Sequence, residues 1–164
     1  MAQKELVFLY PIPKIINLEI ENHGWSHKGG TEAFRKKYGS ILNECIDKRY
    51  RRKGFGINYA IFDDCTVSEV INLQPSDRII KVGIDFKTHT TERVYPNQEY
   101  ILSQLNGVQV VRIAGFHMWD CVEKLAKCAY EKGLDVLVDE DLTEFFVHRL
   151  RDCDFKIDKY PTYN

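Results

Sequence analysis

The stretch VQVVRIAGFHMWDCV, residues 108–122, indicates the fold of this 164-residue chain. Its first seven residues are mostly apolar and β-branched, which is typical of a strand buried on both faces of a parallel sheet. Beyond Gly115 the apolar spacing becomes helical, and Gly133 follows as a natural helix end. The inner face of this helix is predicted to carry Val122, Leu125, Ala126 and Ala129. A strand that passes directly into a helix favours the α/β class.

The rest of the chain continues this alternation of apolar runs and helical patterns. Further strands are predicted at residues 5–10, 57–62, 77–84, 136–138 and 155–157, and helices after Thr31, at residues 67–73, after Asn97, and after a capping box of Asp141 and Glu144. We therefore predict one α/β domain over residues 1–164. It has a doubly wound, mainly parallel sheet of about six strands in a three-layer α/β/α, Rossmann-like arrangement. Residues 13–30 are predicted to form a long loop, with a lid over a site as one interpretation.

The composition limits the classes of partner and location. The formal net charge is -1, which gives no global field for attracting nucleic acid or an anionic membrane. The basic residues 48–53 are interpreted as a solvated helix end. No apolar run approaches the ~20 residues of a membrane span, and the N-terminus lacks the features of a signal peptide, so a cytoplasmic protein is expected. The five cysteines form no CxxC pair and no zinc-ligand spacing, so we expect reduced thiols, no metal and no cofactor.

Cys121 is the residue of greatest chemical interest, because it lies where the fourth strand passes into a helix. The unpaired amides and positive dipole end of a helix N-terminus favour the thiolate, which is the nucleophilic form of cysteine. In a doubly wound sheet the ligand crevice lies at the carboxyl ends of the strands. With the common strand order 3-2-1-4-5-6, the loops after Tyr10, Phe62, Ile84 and Gly115 meet around this sulfur. The alternative interpretation is a small buried hydrophobic residue.

Residues 105–141 resemble the second half of the isochorismatase-like cysteine hydrolases. The matching positions are Gly115, Cys121-Val122, Ala126, Ala129, Gly133 and Asp141. The resemblance implies the isochorismatase-like hydrolase fold and the hydrolysis of a small amide, imide or related C–N compound, with Cys121 as the nucleophile. It also implies an oxyanion hole made by backbone N–H groups near His117 and Cys121, and a homo-oligomer.

The chain departs from this family at the residues that activate the thiol. The family's aspartate at the end of the first strand is replaced by Tyr10, a poor general base because its reference pKa is ~10. The family's lysine on the third strand corresponds to Lys81, which is therefore either the second catalytic residue or a solvent-facing edge residue. Tyr10, His117 and Trp119 are predicted to form the substrate-binding wall of the pocket.

Two functions therefore remain open at the level of the sequence. One is a divergent cysteine hydrolase in which Lys81 helps to deprotonate Cys121. The other is a catalytically degenerate protein that keeps the fold for small-ligand binding or protein assembly, because the activating aspartate is missing. Asp85 and His89 have the spacing of a carboxylate–imidazole pair, for which a surface hydrogen bond is the alternative interpretation.

Overall fold

A five-stranded parallel sheet forms the centre of the protein. The computed structural model describes residues 2–152 and residue 157. The strands are β1 (Lys4–Leu9), β2 (Gly56–Ile61), β3 (Arg78–Lys81), β4 (Val110–Gly115) and β5 (Asp135–Thr143). Their order is β3-β2-β1-β4-β5, and every neighbouring pair is parallel. The α/β class and the predicted strand order are confirmed, while residues 155 and 156 of the predicted sixth strand lie outside the described residues.

Helices cover both faces of the sheet. They are α1 (Pro13–Gly24), α2 (Gly30–Arg49), α3 (Phe86–Glu92), α4 (Gln98–Ser103), α5 (Glu123–Glu131) and α6 (Phe145–Asp152). The buried apolar residues of α1, α2 and α6 belong to one core cluster. Those of α4 and α5 belong to a second, against which the partly buried Phe86 of α3 packs. The two clusters lie on opposite faces of the sheet, which gives the three-layer arrangement that the sequence predicts.

The central strand β1 connects these two cores. Leu6 and Phe8 pack in the first cluster, whereas Val7 and Leu9 pack in the second, as the alternation of side chains along a strand requires. All four are buried. Burial of a side chain of this kind stabilises the folded state by roughly 1.5–3 kcal/mol. The carboxyl end of β1 is therefore held rigidly in the middle of the sheet.

The predicted loop at residues 13–30 is wrong, because residues 13–24 form helix α1. Pro13 occupies the first turn, where its fixed φ angle suits a helix and its missing N–H costs no hydrogen bond. Only Ile16 and Ile20, four residues apart, are buried among the large apolar residues of this helix. The prediction took the Asn and Gly residues of segment 13–30 as loop signals and missed this narrow apolar face.

Two shorter predictions also fail, and one helix was not predicted. The segment at residues 67–73 is a turn rather than a helix. The Asn43 side chain holds it, because its Nδ2 donates to Val70 O and its Oδ1 accepts from Asn72 N. Residues 86–92, for which no helix was predicted, form α3. Asp141 lies inside β5 and does not form the predicted capping box with Glu144. The cap at Asn97 is confirmed, because its Oδ1 accepts a hydrogen bond from Tyr100 N at 3.1 Å.

The basic segment at residues 48–53 is not simply a solvated helix end. Arg49 is completely buried, and its guanidinium contacts the buried Asp139 at 2.8 Å and Asp141 at 3.2 Å. The other basic residues form more exposed pairs, namely Lys48 with Glu44, Arg51 with Asp77 and Arg52 with Asp47. The interpretation of this segment is therefore corrected: it joins α2 to β5 and to the loop before β3 through ion pairs.

Candidate functional site

The carboxyl ends of β1 and β4 lie side by side, because Leu9 pairs with Gly115. Gly115 has a φ of 102°, and a Cβ atom there would overlap the Leu9 carbonyl oxygen, so only glycine fits. Phe116 N donates to Leu9 O at 3.0 Å, and Tyr10 N donates to Ala60 O of β2 at 2.8 Å. These contacts bring the segments that follow three strands to one place, as the strand order predicts.

A cavity of about 310 Å³ opens at this edge of the sheet. Its aromatic walls are formed by Tyr10, Phe62, Phe86, His89, Phe116 and His117. The remaining lining is formed by Lys14, Ile15, Leu18, Thr90, Asp120 and Cys121. The loops after β1, β2 and β4 and the helices α1 and α3 all contribute, so the cavity lies where an open α/β sheet places its ligand.

Cys121 lines this cavity from a π-helical turn at Met118–Val122, which precedes α5. Trp119 and Asp120 within the turn have non-helical backbone angles. The cysteine is only 2% exposed, and burial raises the pKa of its thiol to about 11. Asp120 also raises this pKa, whereas the Tyr10 hydroxyl and Lys124 lower it. Desolvation therefore outweighs the stabilisation that a helix start gives to a thiolate, and the sulfur is protonated at neutral pH.

Tyr10 follows β1 directly and lies beside the sulfur of Cys121. Its ring stacks on Phe62 with centroids 4.3 Å apart and planes at 20°. The side chain is 2% exposed, and its hydroxyl finds no hydrogen-bond partner with acceptable geometry among the described residues. Burial, followed by the neighbouring Cys121, raises the pKa of Tyr10 far above its usual range. Tyr10 is therefore a neutral hydrogen-bonding group and not a base.

A carboxylate does lie beside the sulfur, but Asp120 supplies it. Lys124 Nζ donates to Asp120 Oδ1 at 2.9 Å, and the Tyr95 hydroxyl also donates to this carboxylate. Partial burial acts to raise the pKa of Asp120, but these two donors lower it, so Asp120 is an anion at neutral pH. The sequence interpretation missed this group, although the spacing of Asp120 and Lys124, one helical turn apart around Cys121, was a readable signal.

The structure brings together three of the five predicted site residues. Tyr10, His117 and Cys121 line the cavity, and His117 Nδ1 lies 2.7 Å from Glu144 Oε2. Lys81 does not line it, because its Nζ donates to the carbonyl oxygens of Asp63 (3.3 Å) and Cys65 (3.0 Å). Trp119 is 69% exposed and lies outside the cavity wall.

Helix α3 supplies walls that were not expected from the sequence. The ring of His89 lies 5.0 Å from that of Phe62, and Phe86 meets Phe62 edge-on at 5.3 Å. His89 Nδ1 lies 2.9 Å from Val94 O, and Asp85 Oδ1 instead caps α3 by accepting from Thr88 N at 2.6 Å. Of the two interpretations of Asp85 and His89, the carboxylate–imidazole pair is therefore wrong. The signal for this helix was the Asp85 to Thr88 spacing of an N-cap.

The described residues form neither a metal-binding cluster nor a membrane-spanning helix. Across residues 2–152 and 157, no three His, Cys, Asp or Glu side chains converge as a metal ion would require. In the same part of the chain, none of the helices combines the length and apolar composition needed to cross a membrane.

Comparison with known proteins identifies the fold. The sequence matches no protein-family model and no curated protein. A candidate MAR1 ribonuclease from Leishmania major has a similar structure, with a TM-score of 0.56 and 11% identity over 94% of this chain and 75% of that chain. An isochorismatase family protein has a TM-score of 0.52 and 19% identity, covering 85% and 80% of the two chains. N-carbamoylsarcosine amidase from Thermoplasma acidophilum has a TM-score of 0.51 and 17% identity, covering 92% and 94%.

The chain therefore has an isochorismatase-like, hydrolase-like α/β fold, as the resemblance of residues 105–141 implies. At identities below 20% the likeness identifies the fold alone, so the function has to be argued from the cavity itself.

Proposed function

We propose that this protein binds a small, planar, largely apolar molecule in the cavity at the carboxyl ends of β1, β2 and β4. In this proposal Cys121 is a thiol of the cavity wall and is not a nucleophile activated in advance. The observation that carries it is the burial of the Cys121 thiol and the Tyr10 hydroxyl among aromatic rings, which keeps both groups protonated. Tyr10 is the one of these two residues that stands, by the sequence resemblance, where the isochorismatase-like hydrolases carry their activating aspartate.

The size and walls of the cavity favour a ring compound. An engineered protein cavity of roughly 150 Å³ binds benzene, so about 310 Å³ holds one ring with a substituent. Tyr10, Phe62, Phe86 and His89 present ring faces and edges, and a planar ligand packs well against such surfaces.

The Tyr10 hydroxyl indicates the polar group of the ligand. The Tyr10 hydroxyl is buried beside the protonated Cys121 thiol, which is a weak acceptor, and it has no well-placed partner among the described residues. A buried hydroxyl left in this way costs roughly 1–3 kcal/mol relative to a satisfied one. A ligand carbonyl beside it accepts this hydrogen bond and removes that cost. An aromatic primary amide combines the ring with such an acceptor, and it is therefore the ligand type that fits this cavity best.

A second function, cysteine hydrolysis of a small amide, is favoured by Asp120, whose carboxylate lines the same cavity. In that reaction Asp120 accepts the Cys121 proton and the sulfur attacks the carbonyl carbon. Asp120 then returns the proton to the amide nitrogen, so that the C–N bond breaks and ammonia leaves. Water finally cleaves the thioester to the carboxylic acid and the free thiol. The thiol pKa of about 11 opposes this, because only on the order of 10⁻⁴ of the thiol is ionised at pH 7. Binding without rapid turnover is therefore the better supported function.

Benzamide tests the two functions together. We expect calorimetry to detect benzamide binding, with weaker binding of the non-aromatic cyclohexanecarboxamide and no ammonia release above the Cys121→Ala control. Absence of benzamide binding contradicts the proposed ligand class. Ammonia release that disappears in Cys121→Ala favours the hydrolase instead.

The protonation of Cys121 is tested separately by the pH dependence of its alkylation by iodoacetamide, with peptide mass spectrometry distinguishing the cysteines. We expect an apparent pKa well above the free-thiol value of about 8.5. An apparent pKa at or below that value would show an activated thiol and overturn this proposal.

A further inference from the structure

Lys14 differs from the other charged residues around the cavity in its partners. Asp120 is neutralised by Lys124 at 2.9 Å, and His117 contacts Glu144 at 2.7 Å. Lys14 also lines the cavity, but its ammonium has no carboxylate within ion-pairing distance among the described residues. An ammonium without an ion-pair partner among the described residues therefore lies in the lining of this cavity.

Lys14 is held at the mouth by an aromatic contact. Its Nζ lies 5.2 Å from the centroid of the Phe86 ring, which itself forms part of the cavity wall. A cation–π contact of this kind keeps an exposed ammonium in place without neutralising its charge. A ligand group that extends out of the cavity past Phe86 therefore contacts the Lys14 ammonium.

The stability of α1 does not explain this placement. Lys14 lies in the first turn of α1, where the helix dipole disfavours a positive charge, and no acidic residue in that turn compensates it. The lysine therefore costs the helix a small amount of stability in the ligand-free protein. A negative charge brought by a ligand would reverse this unfavourable interaction.

We propose that Lys14 makes the cavity selective for ring compounds that carry an anionic group, such as a carboxylate, on the side facing the mouth. The proposal rests on the function proposed above and specifies its ligand class: a monocyclic aromatic acid whose opposite end carries a hydrogen-bond acceptor. The acceptor meets the Tyr10 hydroxyl, the ring packs against the aromatic wall formed by Phe62 and Phe86, and the anion pairs with Lys14.

Two probes of the same size test this selectivity, namely 4-carbamoylbenzoate, which is an anion, and terephthalamide, which is neutral. We expect calorimetry to give about two- to fivefold tighter binding of the anion, the range for an exposed ion pair. The preference should shrink in 0.5 M NaCl, because salt screens exposed charges.

Variants then assign the preference to one side chain. Lys14→Met should bind the two probes equally while keeping the terephthalamide affinity, and Lys14→Arg should retain the preference. Lys28→Met, which makes the same change in net charge at an exposed residue outside the cavity lining, should behave as the unchanged protein does.

The outcomes separate this proposal from the one on which it rests. Equal binding of the two probes to the unchanged protein, or a preference that survives in Lys14→Met, overturns the role of Lys14 while the ligand-binding function stands. Failure of both probes and of benzamide to bind overturns both proposals.

Discussion

Replacing Arg49 by Met should strongly destabilise the protein, because it leaves Asp139 buried without its cation. The two side chains are fully buried, and Arg49 Nη1 donates to both oxygens of Asp139, at 2.8 and 2.9 Å. Arg49 Nε also donates to Ile157 O at 2.8 Å, so the guanidinium ties the last residue of α2 to two distant parts of the chain. Met keeps most of the apolar stem and removes only the charged group.

The expected loss is about 3–5 kcal/mol, the range for removing one partner of a buried ion pair. A typical domain is stable by only about 5–15 kcal/mol, so this change consumes a large part of the total. With a urea m-value of about 2 kcal/mol/M, a loss of 4 kcal/mol lowers the unfolding midpoint by about 2 M. Circular dichroism during urea titration measures this shift.

The sign of the pH dependence follows from Asp139. Burial raises the pKa of its carboxyl in the folded protein, more than Arg49 and Tyr50 lower it. A raised folded-state pKa contributes stability that is present below the unfolded-state value and is lost as the pH rises through the folded-state value. Removing Arg49 raises the pKa of Asp139 further, so the loss of stability in Arg49→Met should be smaller at pH 4.5 than at pH 8.

A second substitution supplies the control. The double variant Arg49→Met/Asp139→Asn removes both charges, and it should recover about 2–3 kcal/mol of the loss because no unpaired charge remains buried. A single variant that loses less than about 1 kcal/mol would refute the reasoning. So would a double variant that is no more stable than Arg49→Met.

Three further predictions concern the site and its supports. Tyr10→Phe removes a buried hydroxyl that has no well-placed partner in the described part of the chain, so it should raise the free energy of unfolding by about 1 kcal/mol while weakening benzamide binding. Unchanged benzamide affinity would contradict the proposed hydrogen bond. Gly115→Ala forces a Cβ into the backbone of Leu9, so it should lower the free energy of unfolding by more than about 4 kcal/mol or abolish soluble expression. Gly133 also has a positive φ, but no described atom lies close to the position of its Cβ, so Gly133→Ala should lower the free energy of unfolding by only about 1 kcal/mol in the same urea titration. Asp85→Ala removes the cap of α3, so it should lower the local stability of α3 by about 1 kcal/mol and speed amide exchange there without affecting α4. The matched Asn97→Ala change removes the cap of α4, so it should speed amide exchange in α4 without affecting α3.

The position of the site could be predicted because it depends on strand order. The apolar runs at residues 5–10, 57–62 and 108–114 are short, clear and separated by helical patterns, so the order of the inner strands followed from general rules for parallel sheets. Gly115 marked the point where β4 turns into the cavity. Tyr10 and Cys121 were therefore expected to lie together, and they do.

The protonation state of Cys121 could not be predicted, because the local sequence gives only one of the opposing effects. A helix start favours a thiolate, but the desolvation that raises the thiol pKa depends on rings from distant segments, such as Phe62 and Phe86. The pairing of Arg49 with Asp139 was hidden for the same reason, since the two residues lie 90 positions apart. A basic run at a helix end looks solvated until its partner is known.

Helix α3 contains no buried residue, although Phe86 and His89 form part of the cavity wall. The folding free energy of α3 is therefore small. We expect this helix, which forms one wall of the cavity, to unfold locally more easily than the sheet beneath it. A ligand that packs against these two rings adds apolar contacts that α3 lacks in the empty protein, so ligand affinity and the helicity of residues 86–92 are thermodynamically linked. Substitutions on the solvent side of α3 that strengthen or weaken the helix would then tune affinity without touching the ligand.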